Sequence, residues 1–299
     1  MSERVRVGAL ERRRRLLGWV FLMPLAVINL LVVLGPSVAS VYYSLTDWSG
    51  LGPAEFVGLD NFRQILIDEE FRAALMHNVA WTAFFLTVPI SMGLMGAFLL
   101  SQINRFQLFF RIVYFVPYVI ASVVNGAMWQ NLLDPTRGLG PKLAEFGLPW
   151  LENVAFLGDP QLALPSVAFV DNWHWWGFLV VVFLAAMQSV DTELYEAARV
   201  DGASRWQEFR FVTLPSIRPT LVFVMLMTIV WSLLVFDYIW ILTQGGPAGA
   251  TEVVATVLYK NAFSNFEAGY AAAIGLAMSF VSGVVVCGFL YLRKRGWEV

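Results

Sequence analysis

Long apolar runs limit this chain to very few folds. Six of them, at about 17–45, 77–100, 108–132, 162–190, 219–242 and 270–292, approach or exceed the length that crosses a bilayer. A helix rises about 1.5 Å per residue, so roughly 20 residues traverse a hydrocarbon core of about 30 Å. No water reaches the backbone there, so each segment must satisfy its own N–H and C=O groups, which a helix does. The expected fold is therefore all-α, a polytopic membrane bundle of six transmembrane helices. Pro24 and Gly35-Pro36 fall inside the first run and should kink it. Asn29, also in that run, is expected to hydrogen-bond between helices.

Composition agrees. Of the 299 residues 58% are hydrophobic and 14% charged, where a soluble domain carries about 25% charge. The net charge of -2 gives no basic field for nucleic acid. The only cysteine, Cys287, cannot form an intrachain disulfide.

Orientation follows from Lys and Arg, which accumulate on the cytoplasmic side. Arg12 to Arg15, Arg105, Arg111, Arg199, Arg205, Arg210, Arg218 and the run from Arg293 to Arg295 fall on one side of a six-span path. Only Arg63, Arg72, Arg137, Lys142 and Lys260 fall on the other. Both termini are thus expected in the cytoplasm. The organisation becomes a basic segment (1–16), a first transmembrane helix (17–45), an extracytoplasmic loop (46–76), a core transmembrane domain (77–292) and a tail (293–299). The first apolar run exceeds the usual ~7–15 residues of a cleaved leader, so it reads as a retained signal-anchor. The rival is cleavage near Ser37-Val38-Ala39.

One polar stretch, 191–218, lies between the fourth and fifth runs and on the inner side. It reads as two short helices, 193–199 and 204–211, parted at Asp201-Gly202, where glycine permits a left-handed turn. Pro215 and Pro219 are expected to stop the second helix and start the next span. Ala197 and Ala198 leave one face of the first helix low, open to close approach by a soluble partner.

Polar groups at membrane depth are costly and tend to face protein or a water-filled path. The fourth run holds Asp171, Asn172, Trp173, His174, Trp175 and Trp176. Indoles beside a carboxylate suit a sugar, whose C–H faces lie on rings while its hydroxyls meet acids and amides. An interfacial aromatic belt accounts for the tryptophans equally well. Asn125 in the third run, and Trp231, Ser232 and Asp237 in the fifth, complete the candidate pathway set. An interhelical hydrogen bond is the plainer role for Asn125 and Ser232. No phosphate-cradling Gly-rich loop ending in Lys-Ser or Lys-Thr exists, the two histidines have no metal spacing, and no nucleophile elbow occurs. The chain is expected to be no enzyme and to hold no cofactor or metal.

The order Glu196-Ala197-Ala198, Asp201-Gly202-Ala203, Leu214-Pro215 resembles the coupling loop of ABC importer permeases. Further stretches resemble the carbohydrate-uptake, maltose and glycerol-phosphate branch, over roughly residues 20 to 292: Phe56 to Phe62, Arg111 to Tyr118, Leu242 to Pro247, and Gly269 to Ala273. They look like the F-type half of the maltose permease pair, without its large extracytoplasmic insertion. The resemblance implies the type I importer permease fold and a pathway subunit for a sugar in a bacterial or archaeal inner membrane. It also implies a second permease subunit, two ATPase subunits that bind ATP and Mg, and an extracytoplasmic sugar-binding protein, with lipid around the spans. In such relatives the glutamate matching Glu196 anchors the loop, Gly202 makes its turn, and Trp173 matches a sugar-contacting tryptophan. Asp171, His174, Trp175, Trp231 and Ser232 carry over less directly. The alternatives are a permease for glycerol-3-phosphate or another small solute, and a scaffold or secondary carrier without ATPase coupling.

Overall fold

The computed structural model describes residues 17–103 and 105–294. The expected cytoplasmic segment 1–16 and the end of the expected tail, 295–299, lie outside the described residues. The chain divides into two compact units. One combines residues up to Gln64 with Asn261–Leu276; the other combines Ile65–Lys260 with the chain from Ala277 onward.

In the first unit, α1 (Leu17–Tyr43) is long and apolar enough to cross a membrane. Pro36 has no N–H to give, and the helix absorbs this through a π-helical turn at Leu30–Leu34, with the Gly35 N–H donating to Leu30 O. Asn29 does not bond between helices, as sequence suggested; its amide donates to Leu25 O of its own helix at 3.1 Å. A two-stranded antiparallel ribbon, β1 (Thr46–Asp47) and β2 (Glu55–Phe56), follows. The next helix, α2 (Asp60–Ile67), begins in this unit; its buried Asn61 amide donates to Ser44 O and Thr46 O, each at 2.9 Å. Gly269 abuts the Thr46 carbonyl and its N–H donates to Trp48 O at 2.8 Å, so only a residue without Cβ fits there.

The second unit is built on two long helices, α3 (Glu69–Ser101) and α7 (Ala163–Gln188). Asp68 caps α3 by accepting from the N–H groups of Glu70 and Phe71. A Cβ on Gly93 would lie 2.6 Å from Leu179 Cβ, and one on Gly96 2.6 Å from Val180 Cγ2. These glycines let the backbones close, which is how helices associate in lipid. Leu179, Val180, Phe183 and Leu184 are fully buried at that crossing. Gly93 and Ala97 thus pack within the bundle, whereas a Cβ on Gly283 would meet nothing within 4 Å.

The third and fifth runs are not single straight helices. The third divides into α4 (Gln107–Val119) and α5 (Ser122–Leu132), which meet at 93°. Ile120 and Ala121 between them are extended, with ψ of 128° and 138°. A short helix, α6 (Leu139–Glu145), precedes α7. Beyond α7 come α8 (Thr192–Val200) and α9 (Arg205–Ser216), then α10 (Arg218–Leu233), bent 69° from α9. The fifth run breaks again before α11 (Asp237–Leu242). Contacts far apart in sequence hold both breaks. Asn125 donates to the Tyr238 hydroxyl at 2.7 Å, Gln130 donates to Ile241 O at 2.8 Å, and Gly126 sits under Ile241, so α5 is pinned to α11. The buried Asn78 amide donates to Ser232 O at 2.8 Å, capping the open end of α10, while its oxygen accepts from Val254 N–H at the start of α12 (Val254–Phe263). The last helix, α13 (Ala268–Lys294), contributes its first turns to the first unit and its remainder to the second. α1, α3, α7 and α13 are each long and apolar enough to cross a membrane, and counting each bent pair as one span gives up to six such segments among the described residues.

Candidate functional site

Two features of the second unit carry the candidate residues. The first is the knob at 191–218. Asp191 caps α8 by accepting from Glu193 N–H at 3.0 Å. At the other end Gly202 has φ +81°, its N–H donates to Arg199 O, and the Ala203 N–H reaches back to Ala198 O. That pair of bonds is a Schellman stop, which needs a residue at ease in the left-handed region. Ser204 and Gln207 then start α9 with a reciprocal capping box. The two arms are tied by Glu208. Its buried carboxylate accepts from Arg199 Nε at 3.0 Å and from Arg205 Nη1 at 3.5 Å. The carboxylate raises the Arg199 guanidinium pKa above its ordinary value. Tyr195 and Thr213 add a hydroxyl bond at 3.0 Å.

Pro215 does not stop the second arm. A π-helical turn at Glu208–Thr213 opens the ladder just before it, and helical backbone runs on to Ser216. The break falls instead at buried Ile217, just ahead of Pro219. Glu196, Ala197, Asp201, Gly202 and Pro215 are exposed; Ala198, Ala203 and Leu214 are half-buried. Val200, at 88% exposure, projects from the tip. Behind the knob is a polar cavity of about 330 Å³.

The second feature is an open cleft of about 590 Å³. It brings together Asp171, His174 and Trp175 of α7 with Trp231 of α10 and Asp237 of α11, five residues expected from sequence. Trp175 and Trp231 meet edge to face with centroids 4.5 Å apart. Both helix breaks open onto this cleft, at 119–121 and 234–236. Non-helical backbone at membrane depth is tolerated where it lines a watery space, and that is where it occurs here. The His174 ring lies beside the backbone of Tyr118 and Ile120, and 5.4 Å from the Tyr118 ring. A side cavity of about 80 Å³ shares Asp171 and Trp231 with the cleft and adds Ser232 and Thr228.

Asn125 stands one layer back, fully buried behind Tyr238. Trp173 does not line the cleft. It packs against Trp129, centroids 5.5 Å apart, within an apolar cluster. Tyr238, offered by the fifth run beside Asp237, lines the cleft as well, whereas Tyr118 and Phe236 line it without having been singled out from sequence as pathway residues. Their signal was their place beside Pro117 and Asp237.

Paired helix breaks around an open cleft, with a hydrogen-bonded knob on a separate loop, fit a membrane transport component. The sequence matches the family described as "Binding-protein-dependent transport system inner membrane component" over residues 86–295, and the chain belongs to that family. It is 35% identical to a probable ABC transporter permease protein of Pyrococcus horikoshii, over 93% of this chain and 96% of the relative. It is 33% identical to the diacetylchitobiose uptake system permease protein NgcF of Streptomyces coelicolor, over 91% of this chain and 80% of the relative. Among solved structures, a chain of a bacterial ABC transporter involved in import of the acidic polysaccharide alginate superposes with a TM-score of 0.85 at 24% identity. That match covers 98% of this chain and 99% of that one, and it shows the fold to be that of an ABC importer permease.

Proposed function

We propose that this permease forms half of the transmembrane pathway of an ABC importer for a saccharide. The observation that carries the substrate class is the cleft, where Trp175, Trp231 and Tyr118 offer ring faces beside the carboxyls of Asp171 and Asp237. Uptake of diacetylchitobiose by a system containing NgcF supports the same class. A second permease would complete the cleft. An extracytoplasmic binding protein would deliver the sugar, as a periplasmic protein loaded with alginate pentasaccharide stands in complex with the alginate transporter.

The knob is the proposed seat of two ATPase subunits, which would bind ATP and Mg; this chain would hold no nucleotide and perform no catalysis. The sequence orientation places the knob in the cytoplasm, with both termini. Exposed Glu196, Ala197 and Val200 form the docking face, and the Glu208 bonds make the two arms move as one body. Closure of the ATPases would thus be passed through Ile217 into α10, which carries Trp231. Glycerol-3-phosphate fits the cleft less well, because none of its described lining residues is a lysine or arginine to receive a phosphate.

The test is saccharide uptake by vesicles holding the full transporter, with Glu196→Arg and Gly202→Asp in the knob. Both variants should insert normally, lose the co-expressed ATPase on purification and lose uptake. Full uptake by either one removes the docking assignment.

A further inference from the structure

Charge in the cleft goes beyond the saccharide reading, on which this inference rests. Asp171 and Asp237 come from different helices, α7 and α11, and both line the same open space. Among its described lining residues there is no lysine or arginine. In this unit the described carboxylates that pair with a cation do so elsewhere: Glu208 with Arg199 and Arg205 in the knob, and Glu252 with Lys260 at 2.7 Å. Neither Asp171 nor Asp237 takes part in a described ion pair or hydrogen bond. Ionisable side chains at membrane depth are expensive, so two of them facing one cavity without a counter-charge call for a function.

A second observation points to a ligand at the same place. The Thr228 hydroxyl is buried, its residue only 3% exposed, and it has no hydrogen-bond partner. It lines the 80 Å³ side cavity whose wall includes Asp171. That volume suits a single small polar substituent, such as a hydroxymethyl or an amine, more than a whole sugar ring. Buried hydroxyls are rarely left unsatisfied unless something occupies the space beside them.

We propose that Asp171 and Asp237 make the cleft a charge filter, admitting neutral and amine-bearing saccharides and turning away those with carboxylate, sulfate or phosphate groups. The physical reason is that indole and phenol rings line part of this open cleft and displace some of its water, so charge is screened there less than in bulk solvent. Like charges repel there more than in water, and an ammonium group gains by the same factor. The rings hold any sugar by its C–H faces; the two acids sort sugars by charge. The selection acts in the permease itself, after whatever selection the binding protein makes.

The test uses the assembled transporter in nanodiscs, this chain with its partner permease and ATPases, and three trimers of matched size, measured by calorimetric titration. They are cellotriose (neutral), a glucosamine trimer (amine-bearing) and a galacturonate trimer (acidic). The wild-type chain should bind the first two and bind the uronate at least about 10-fold more weakly. The Asp171→Asn/Asp237→Asn double variant should bring the uronate close to cellotriose and erase the advantage of the amine. Should that variant fail to fold, salt supplies the second reading. In the wild-type chain the ratio of glucosamine-trimer to cellotriose affinity should fall as ionic strength rises, because screening acts on charge alone. Equal wild-type affinities for uronate and cellotriose, an unchanged ratio in the double variant, or a salt-independent ratio overturns the filter while leaving the saccharide reading intact. Binding of none of the three trimers removes the saccharide reading and the filter together.

Discussion

Arg199 Nε donates to Glu208 Oε1 at 3.0 Å, and this ion pair, beside the Tyr195–Thr213 hydroxyl bond, joins the arms of the knob across the glycine turn. The arginine is half exposed while the carboxylate is 6% exposed. Water reaches the pair from the arginine side and screens it, so it adds little to global stability. Its consequence is mechanical: with it, a push on α8 also moves α9.

Glu208→Gln should therefore spare the fold and damage coupling. The amide keeps the shape of the side chain but loses the charge that attracts Arg199 and Arg205. The melting temperature should change little, while ATP-driven uptake falls about tenfold, within the usual range of coupling energies between sites. Melting and uptake measured on the same preparations check this, and normal uptake would falsify the assigned role of the bond.

At Gly202 the conflict is with the backbone and not with neighbours. Its φ is +81°, yet a Cβ there would meet nothing within 4 Å. An ordinary L-residue in this region costs about 1–2 kcal/mol, and asparagine tolerates it best. Uptake should rank wild type, then Gly202→Asn, then Gly202→Val. A valine variant as active as the asparagine variant contradicts that ranking.

The Gly177 position is governed by contact. Its Cα lies against the Tyr114 backbone carbonyl where α7 crosses α4, and backbone cannot step aside as a side chain does. Gly177→Val should cost on the order of 1–3 kcal/mol or more, read as a melting temperature several degrees lower in detergent. Gly283→Ala, in open space, should leave the melting of the isolated chain unchanged.

These elements were legible from sequence to different degrees. The knob was readable because its signals are local: Asp201-Gly202 for the stop, Ser204 with Gln207 for the restart. The long apolar runs were readable because lipid dictates their length. The breaks at 120–121 and 234–236 were not, since neither carries a proline or glycine at the break itself. They are set by Asn125 with Tyr238 and by Asn78 with Ser232, pairs more than a hundred residues apart in sequence. The side that Trp173 faces follows from helix geometry. Successive helical residues turn about 100°, so Trp173 and Trp175 point about 200° apart and cannot share one cleft.

That angular separation leads to a prediction that divides the tryptophans. Trp231 is 44% exposed on the cleft wall and touches Trp175 edge to face. Trp231→Ala removes a ring face that a sugar would cover and, beyond its edge contact with Trp175, takes little from the packing of the bundle. Saccharide affinity should fall about tenfold with little change in melting. Trp173 instead packs on Trp129 among Val167, Val170 and Leu242. Being only half-buried, it should cost on the order of 2 kcal/mol of stability on truncation to Ala, below the ~3–5 of a fully buried tryptophan. Affinity per folded molecule should hold. Calorimetric titration and thermal melting of both variants decide the matter. If Trp173→Ala loses affinity at unchanged melting temperature while Trp231→Ala does not, the pathway runs on the other side of α7.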